Sequence, residues 1–374
     1  MNLKPNLFLT SNVFSKNQIG KNEKINQDVR DKISELWNIL LSISNLKVYD
    51  GRFPTSKEIE EITSNFKPHI LGCHLSHKIS KKVMESSNLI AVATCTTGFN
   101  HIHRTQEDNV IITHTPGVLH ETVADYTIAI IMANLRNIID LHSYLWNGNW
   151  TTEDKWDLDQ NLSSILKTKT LGIVGLGEIG KEVIRYLYPW GLKIAYYDIK
   201  QMEDFEKSYP KIRFESKLEN IFQESDIISL HVPLNSKTEK MIGERYLKLM
   251  KPNSLLINTA RGGIINFSDL FDLLEKKELK INLSFDVYPD EPISSEILKR
   301  FRKIKQHQPN RRIILLPHNA SADANTRGRM NVLFLQDIIK IIRSTKLDDF
   351  KEIHLIPAHQ KNISAREWRI LKYF

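Results

Sequence analysis

The opening third of the chain alternates short apolar runs with charged segments of helical spacing. "PNLFLT", "LKVYD", "HILGCHLS" and "LIAVATCTT" have the length and apolar density of buried strands, while "ISELWNILLSI" repeats its apolar positions every three to four residues. Strands alternating with helices predict a parallel sheet covered by helices. After Pro116 and Gly117 the apolar-periodic run "ETVADYTIAIIMANLRNIIDLHSYLW" predicts a long helix. Glu121 and Asp125 suit its N-terminus, and its length could carry the chain from one domain to another.

From "KTLGIVGLGEIG" onward the alternation becomes more regular. "KIAYYD", "DIISLHV", "SLLINTA", "INLSFDV" and "IILLP" read as strands, and "EIGKEVIRYLYPW" and "SDLFDLLEKKEL" as helices between them. Repeated strand–helix–strand units predict a doubly wound α/β fold. The polar, basic stretch 299–312, "KRFRKIKQHQPNRR", is predicted as a surface insertion. "NTRGRMNVLFLQDIIKIIRS" reads as a helix returning to the first domain, and the closing "KNISAREWRILKYF" as a tail to which the pattern assigns no role.

Composition narrows this picture. At 374 residues the chain exceeds what one core usually fills, so two domains are expected. The net charge of +8 comes from cations scattered among acids, which argues against a nucleic-acid partner and suits a surface mildly attractive to small anions. Two cysteines, Cys73 and Cys95, fit a reducing compartment without a disulfide framework. No apolar run is long enough for a bilayer and no cleavage-like site follows the first residues, so a soluble cytoplasmic protein without a membrane partner is expected. No metal site is expected.

"GLGEIG" places Gly175, Gly177 and Gly180 in the G-x-G-x-x-G spacing, after an apolar strand and before a helix. The first glycine permits the tight turn, the second lets backbone approach a pyrophosphate, and the third lets helix and strand pack closely. Glu178 and Ile179 inside the motif are counted with the cofactor site. Asp198, eighteen residues past Gly180, ends the next strand. An acid there can accept both ribose hydroxyls and repel a 2′-phosphate, so NAD(H) is preferred over NADP(H), with Lys200 leaving some tolerance of the latter.

Ligands of open parallel sheets collect beyond the carboxyl ends of the strands. Three later strands deliver polar residues to such ends: Arg261 after "LLINTA", Asp286 and Glu291 in "FDVYPDEP", and His318 after "IILLP". Singly each has a bland explanation: a turn cap, a solvated loop acid, a satisfied strand-end imidazole. Jointly they suit reversible oxidation of a hydroxyl beside a nicotinamide. Arginine can hold a substrate carboxylate and polarise the neighbouring carbonyl, and histidine can exchange the hydroxyl proton while a carboxylate supports the imidazolium.

With these blocks in order, the chain resembles the D-isomer-specific 2-hydroxyacid dehydrogenase family. The matching stretches are "TTGFNHI", "HTPGVLHETVADYTIAII", "TLGIVGLGEIGKEV", "LHVPLNSKTEKMI", "LINTARGGIIN", "FDVYPDEP" and "LLPHNASADANTRGRM", covering most of positions 93 to 330. The resemblance implies two Rossmann- or flavodoxin-like domains with parallel sheets and an active site in the cleft between them. Residues 1–118 would form the first part of a substrate domain, 119–318 an NAD-binding Rossmann domain, and 319–374 the return to the substrate domain plus the tail. It implies a catalytic trio of Arg261, Glu291 and His318. Thr97 and Gly98 would meet the substrate carboxylate through backbone amides, together with Arg261. Asp286 would contact the nicotinamide amide, and Thr122, His231, Pro233, Thr259 and Ala260 would line the cofactor.

Some positions depart from the family pattern. Asn100 and His103 stand where aspartates are usual, His120 either reaches the pocket or caps the long helix, and the 27 residues from Glu291 to His318 exceed the family habit. The activity implied is NAD(H)-dependent interconversion of a small 2-oxo acid and its D-2-hydroxy acid, nearest the glyoxylate/hydroxypyruvate reductase branch, in a homodimer. Alternatives are a D-3-phosphoglycerate or D-lactate-type dehydrogenase and, from another class, an NADH-responsive corepressor or scaffold. Formate dehydrogenases usually carry glutamine at the position of Glu291, which argues against that activity.

Overall fold

Five short strands open the chain: β1 (Asn6–Leu9), β2 (Asn45–Val48), β3 (Ile70–Cys73), β4 (Ala91–Thr94) and β5 (Ile111–Thr113). All pair in parallel, in the order β2-β1-β3-β4-β5. β3 and β4 are buried along their whole length, which is why they read as unbroken apolar runs instead of alternating ones. The computed structural model describes residues 4–104, 109–153 and 157–373. It divides the chain into two units: Met1–Leu119 with Ala322–Phe374, and His120–Ser321.

The first unit buries its sheet under helices from both ends of the sequence. Gln27–Ile43 contributes Ile33, Leu36, Trp37 and Leu40, and Ala324–Arg343 contributes Phe334, Leu335, Ile338 and Ile341 to one core. The tail also has a place here. Leu355 bridges Thr113 antiparallel, Ile356 N–H donates to Ile112 O at 3.0 Å, and His114 N–H donates to His354 O at 2.9 Å. Trp368 is buried, with its indole N–H on Ile363 O at 2.8 Å. The C-terminal segment therefore covers the otherwise open edge of β5. Cys73 and Cys95 are free thiols.

The second unit is a seven-stranded parallel sheet of β6 (Thr170–Val174), β7 (Lys193–Tyr197), β8 (Ile212–Phe214), β9 (Ile227–Leu230), β10 (Leu255–Asn258), β11 (Asn282–Phe285) and β12 (Ile313–Leu315). Its order is β12-β11-β10-β9-β6-β7-β8. The first strand of the unit, β6, lies between β7 and β9, so the strand order reverses there and opens the switch-point crevice of a doubly wound sheet.

Two sequence expectations are corrected. The run from 120 to 146 is two helices, His120–Leu135 and Ile138–Trp146, both within the second unit. The chain breaks at Asn137, which is left-handed at φ 55°, a conformation asparagine tolerates better than most residues. Arg312 caps the first of these helices, donating to the carbonyls of Asn134 and Leu135 at 3.1 Å each.

The second correction concerns 299–312, which is not a surface insertion. Most of it belongs to the helix Ser295–His307, capped by the Ser294 side chain, and Phe301 and Ile304 are buried in the main core. Arg311 is buried as well and donates to the carbonyls of Leu279 and Ile281. Apolar positions 297, 301 and 304 define one helical face, but the cations around them dominate the composition and hide it.

Candidate active site

The glycine loop lies between β6 and the helix Glu178–Leu187. Gly175 is left-handed at φ 98°, and a Cβ there would come within 2.9 Å of the His231 and Val232 backbone. A Cβ on Gly180 would lie 2.4 Å from Gly175 O, so the third glycine is required for the helix to approach the loop. Gly177 differs: nothing lies within 4 Å of its Cβ position. That open space sits over the N-terminus of the ten-residue helix, where unpaired amides and the helix dipole favour an anion. The cradle thus fits a dinucleotide pyrophosphate.

Asp198, at the end of β7, accepts Leu176 N–H at 2.7 Å and Ile199 N–H at 2.6 Å, one on each oxygen. It holds the glycine loop and keeps lone pairs for further donors, since a carboxylate accepts about four hydrogen bonds. His231 follows β9, beside Gly175. Its Nε2 shares a 2.9 Å hydrogen bond with Ser229 Oγ, its Nδ1 is buried without a partner, and burial lowers its pKa to about 4. Such an unsatisfied buried atom at the switch point is one a ligand could complete. Thr259 is buried and shares a hydroxyl contact of 3.1 Å with Thr127. Pro233 and Glu178 are exposed, Ile179, Ala260 and Thr122 half-buried. His120 Nδ1 is buried without a partner, so this atom does not cap the helix.

Three neighbouring strand ends bring the predicted trio to the same edge. Asn258, the last residue of β10, fixes the turn that carries Arg261: its side chain accepts Ala260 N–H at 3.0 Å and donates to Arg261 O at 2.9 Å. Gly262 is obligatory here because a Cβ would fall 1.9 Å from the Tyr288 carbonyl carbon. Burial lowers the Arg261 pKa, and the nearby Glu291 charge opposes this.

Glu291 Oε2 meets His318 Nδ1 at 2.5 Å, and its other oxygen accepts Tyr288 N–H at 3.0 Å. Burial raises the Glu291 pKa, but the hydrogen bond and charge of His318, the Tyr288 amide and the Arg261 charge outweigh it, leaving the carboxyl below its ordinary value. The two side chains are 23% and 30% exposed, so the pair is open enough for a substrate to reach. Tyr288 ties the segment down by donating its hydroxyl to Phe285 O and Leu316 O at 3.1 and 3.0 Å.

His318 is left-handed at φ 52°, a conformation costing a non-glycine residue about 1–2 kcal/mol. Asp286 holds it there. One carboxylate oxygen accepts Asn319 N–H and the other Ala320 N–H, both at 2.8 Å. Asp286 is fully buried and its pKa is raised, chiefly by burial. The resemblance points this acid toward the cofactor; here its contacts anchor the turn that presents the histidine.

Thr97 and Gly98 belong to the first unit, just past β4. Thr97 Oγ1 donates to Thr115 O at 2.8 Å, and Gly98 O accepts Thr96 Oγ1 at 2.6 Å. Nearby, His103 N–H donates to Ile79 O at 2.8 Å, which ties down the segment carrying the family-atypical His103. Sequence reasoning missed Asn258, Tyr288 and Thr127, residues whose only signal is adjacency to a motif. Among the described residues no group of His, Cys, Asp and Glu could hold a metal ion, and no helix is long and apolar enough to cross a membrane.

A reversed strand order, a glycine cradle over a helix N-terminus and an acid at the second strand define a dinucleotide-binding unit. Residues 128–320 match the model of the D-isomer specific 2-hydroxyacid dehydrogenase, NAD binding domain. A glyoxylate reductase of Thermofilum pendens is 33% identical over 312 residues, 82% of this chain and 88% of the relative. Two solved structures share the fold at 23% identity and TM-score 0.73. The D-lactate dehydrogenase of Aquifex aeolicus, complexed with NAD and lactic acid, matches over 94% of this chain and 99% of its own. The NADPH-dependent glyoxylate/hydroxypyruvate reductase of Sinorhizobium meliloti, complexed with NADP and malonate, matches over 95% and 98%. The chain belongs to the D-isomer specific 2-hydroxyacid dehydrogenase family and is an oxidoreductase acting on CH–OH donors.

Proposed function

We propose that this enzyme reduces a small 2-oxo acid of the glyoxylate/hydroxypyruvate type to its D-2-hydroxy acid. The observation that carries this reading is the 2.5 Å His318–Glu291 pair, placed with Arg261 on the sheet edge that also bears the glycine cradle. Gly175, Gly177 and the amides of Glu178, Ile179 and Gly180 would hold the pyrophosphate, with Thr122, His231, Pro233, Thr259 and Ala260 along the rest of the cofactor. Asp198 would take the ribose hydroxyls, and its charge favours NAD(H) over a 2′-phosphorylated cofactor. The nicotinamide, when bound, supplies the hydride.

Arg261 and the Thr97–Gly98 amides hold the substrate carboxylate, and the guanidinium polarises the adjacent carbonyl. His318 donates the proton to the carbonyl oxygen. Its Nδ1 is committed to Glu291, so Nε2 is the nitrogen that gives the proton, and Glu291 stabilises the imidazolium beforehand. In this scheme His120–Ser321 is the nucleotide unit and the other unit binds substrate.

The proposal includes a cytoplasmic homodimer formed through the nucleotide unit. Ile138, Ile139, Leu145 and Trp146 are 50%, 50%, 55% and 81% exposed along one nine-residue helix, apolar surface that a second copy would cover. Light scattering tests the dimer. The activity is tested by NADH and NADPH oxidation with glyoxylate, hydroxypyruvate, pyruvate, phosphohydroxypyruvate and longer 2-oxo acids. Turnover of the two-to-three-carbon acids with NADH supports the reading, and no turnover with either cofactor overturns it.

A further inference from the structure

His114 is the first residue after β5 and is nearly buried. Its Nδ1 lies 2.9 Å from Thr97 O, and its ring stands edge-on to Phe99 at 5.6 Å and 85°. One imidazole thus grips both neighbours of Gly98. The backbone that carries the ring is held as well, because the His114 main-chain N–H donates to His354 O in the C-terminal segment at 2.9 Å. A carbonyl can only accept, so Nδ1 carries the proton in this contact.

The carbonyl of Thr97 and the N–H of Gly98 are opposite ends of one planar peptide unit. Fixing the oxygen fixes the direction of the N–H, and a hydrogen bond to the carbonyl also strengthens the amide as a donor. We propose that His114 is a positioning residue that aims the Gly98 amide at the substrate carboxylate by holding the Thr97 carbonyl through Nδ1. This rests on the assignment of Thr97 and Gly98 to the carboxylate grip. His114 touches neither substrate nor the reacting atoms; it sets the angle and donor strength of a group that does. Burial, the largest influence, lowers its pKa, with the His354 charge acting the same way and the Thr97 hydrogen bond opposing, so the ring is neutral at neutral pH.

Asparagine places an amide nitrogen near the imidazole Nδ1, whereas glutamine places one near Nε2. His114→Asn should therefore keep KM for glyoxylate close to the parent value. His114→Gln should raise it about tenfold, the usual worth of one hydrogen bond, with kcat and NADH affinity little changed. Hydrogen exchange at residues 96–99 should quicken in His114→Gln and not in His114→Asn, a readout that needs no turnover. Equal behaviour of the two variants in both measurements would overturn the proposal. Gly98→Pro removes the N–H itself: if it raises KM while His114→Gln does not, only the positioning role fails. If neither variant moves KM, the carboxylate assignment fails with it.

Discussion

The carboxyl edge of the seven-stranded sheet gathers carboxylates, whereas in the five-stranded sheet the ends of β3, β4 and β5 carry neutral hydroxyls and imidazoles. On the first, Asp198 accepts the Leu176 amide, Asp286 the Asn319 and Ala320 amides, and Glu291 the Tyr288 amide and His318. On the second stand His74 after β3, Thr96 and Thr97 after β4, and His114 after β5. Burial lowers the pKa of His74 to about 3 and lowers those of His77 and His114 as well. Backbone amides and His318 hold these carboxylates in place on one unit, and burial lowers the pKa of the imidazoles on the other. In the function proposed above, proton exchange falls to the unit with the charged edge and orientation of the substrate to the unit with the neutral one.

The comparison breaks most visibly at His318. His318→Ala should lower turnover by about 10²–10⁴-fold, the range of general acid–base catalysis, while NADH affinity measured by fluorescence quenching stays near the parent value. Retained turnover would remove the proton-exchange role from the charged edge.

The first unit should answer to packing instead of charge. Trp368→Ala empties a fully buried indole site and should cost about 3–5 kcal/mol in urea unfolding. Hydrogen exchange should rise around β5 and leave the seven-stranded sheet unchanged. A loss spread evenly over both units would show that the tail is not the local edge cover described above.

How much of this was legible beforehand differs between the units for a physical reason. The glycine loop, Asp198, Arg261, Glu291 and His318 stand at ends of strongly apolar strands, where strand pattern and residue type agree. Asn258 was invisible because it acts through backbone contacts within its own turn, Tyr288 because one of its carbonyl partners, Leu316, lies at the end of another strand, and His114 because its partner Thr97 follows a different strand. The tail was unreadable from pattern because Trp368 and Ile370 stand among charged residues and are buried by tertiary packing, not by a regular face. The helix Ser295–His307 was misread because the cations on its outer side outnumber the three apolar positions, 297, 301 and 304, that decide its burial.

Cofactor choice tests the charged edge with a smaller effect. Asp198→Ala removes the negative charge and frees the Leu176 amide, so the proposed preference for NADH over NADPH should fall about tenfold in kcat/KM. An unchanged ratio would move cofactor discrimination elsewhere, and an exposed Lys200 would then be the next residue to replace.

Acid titration is the finest test of the comparison, because each unit holds a buried imidazole with a depressed pKa. His74 lies at about 3 and His231 at about 4, both against an ordinary 6.5. Between folded and unfolded values the unfolded chain binds more protons, so stability falls as pH drops through that window, by up to about 1.4 kcal/mol per pH unit for each group. Glu291 acts in the same direction lower down: its depressed value contributes stability above the unfolded pKa that is lost as pH falls through the folded one. Replacing one imidazole at a time separates these contributions. His74→Phe keeps an aromatic ring against Phe14 and Phe53, and should flatten the loss of stability between pH 6.5 and 4.5 in the first unit. His231→Asn should do so in the second, as read by urea unfolding with hydrogen exchange resolved by unit. If His74→Phe leaves the acid slope unchanged, the imidazole at the neutral edge takes up its proton as readily in the folded protein as in the unfolded chain, and the contrast between the two edges collapses.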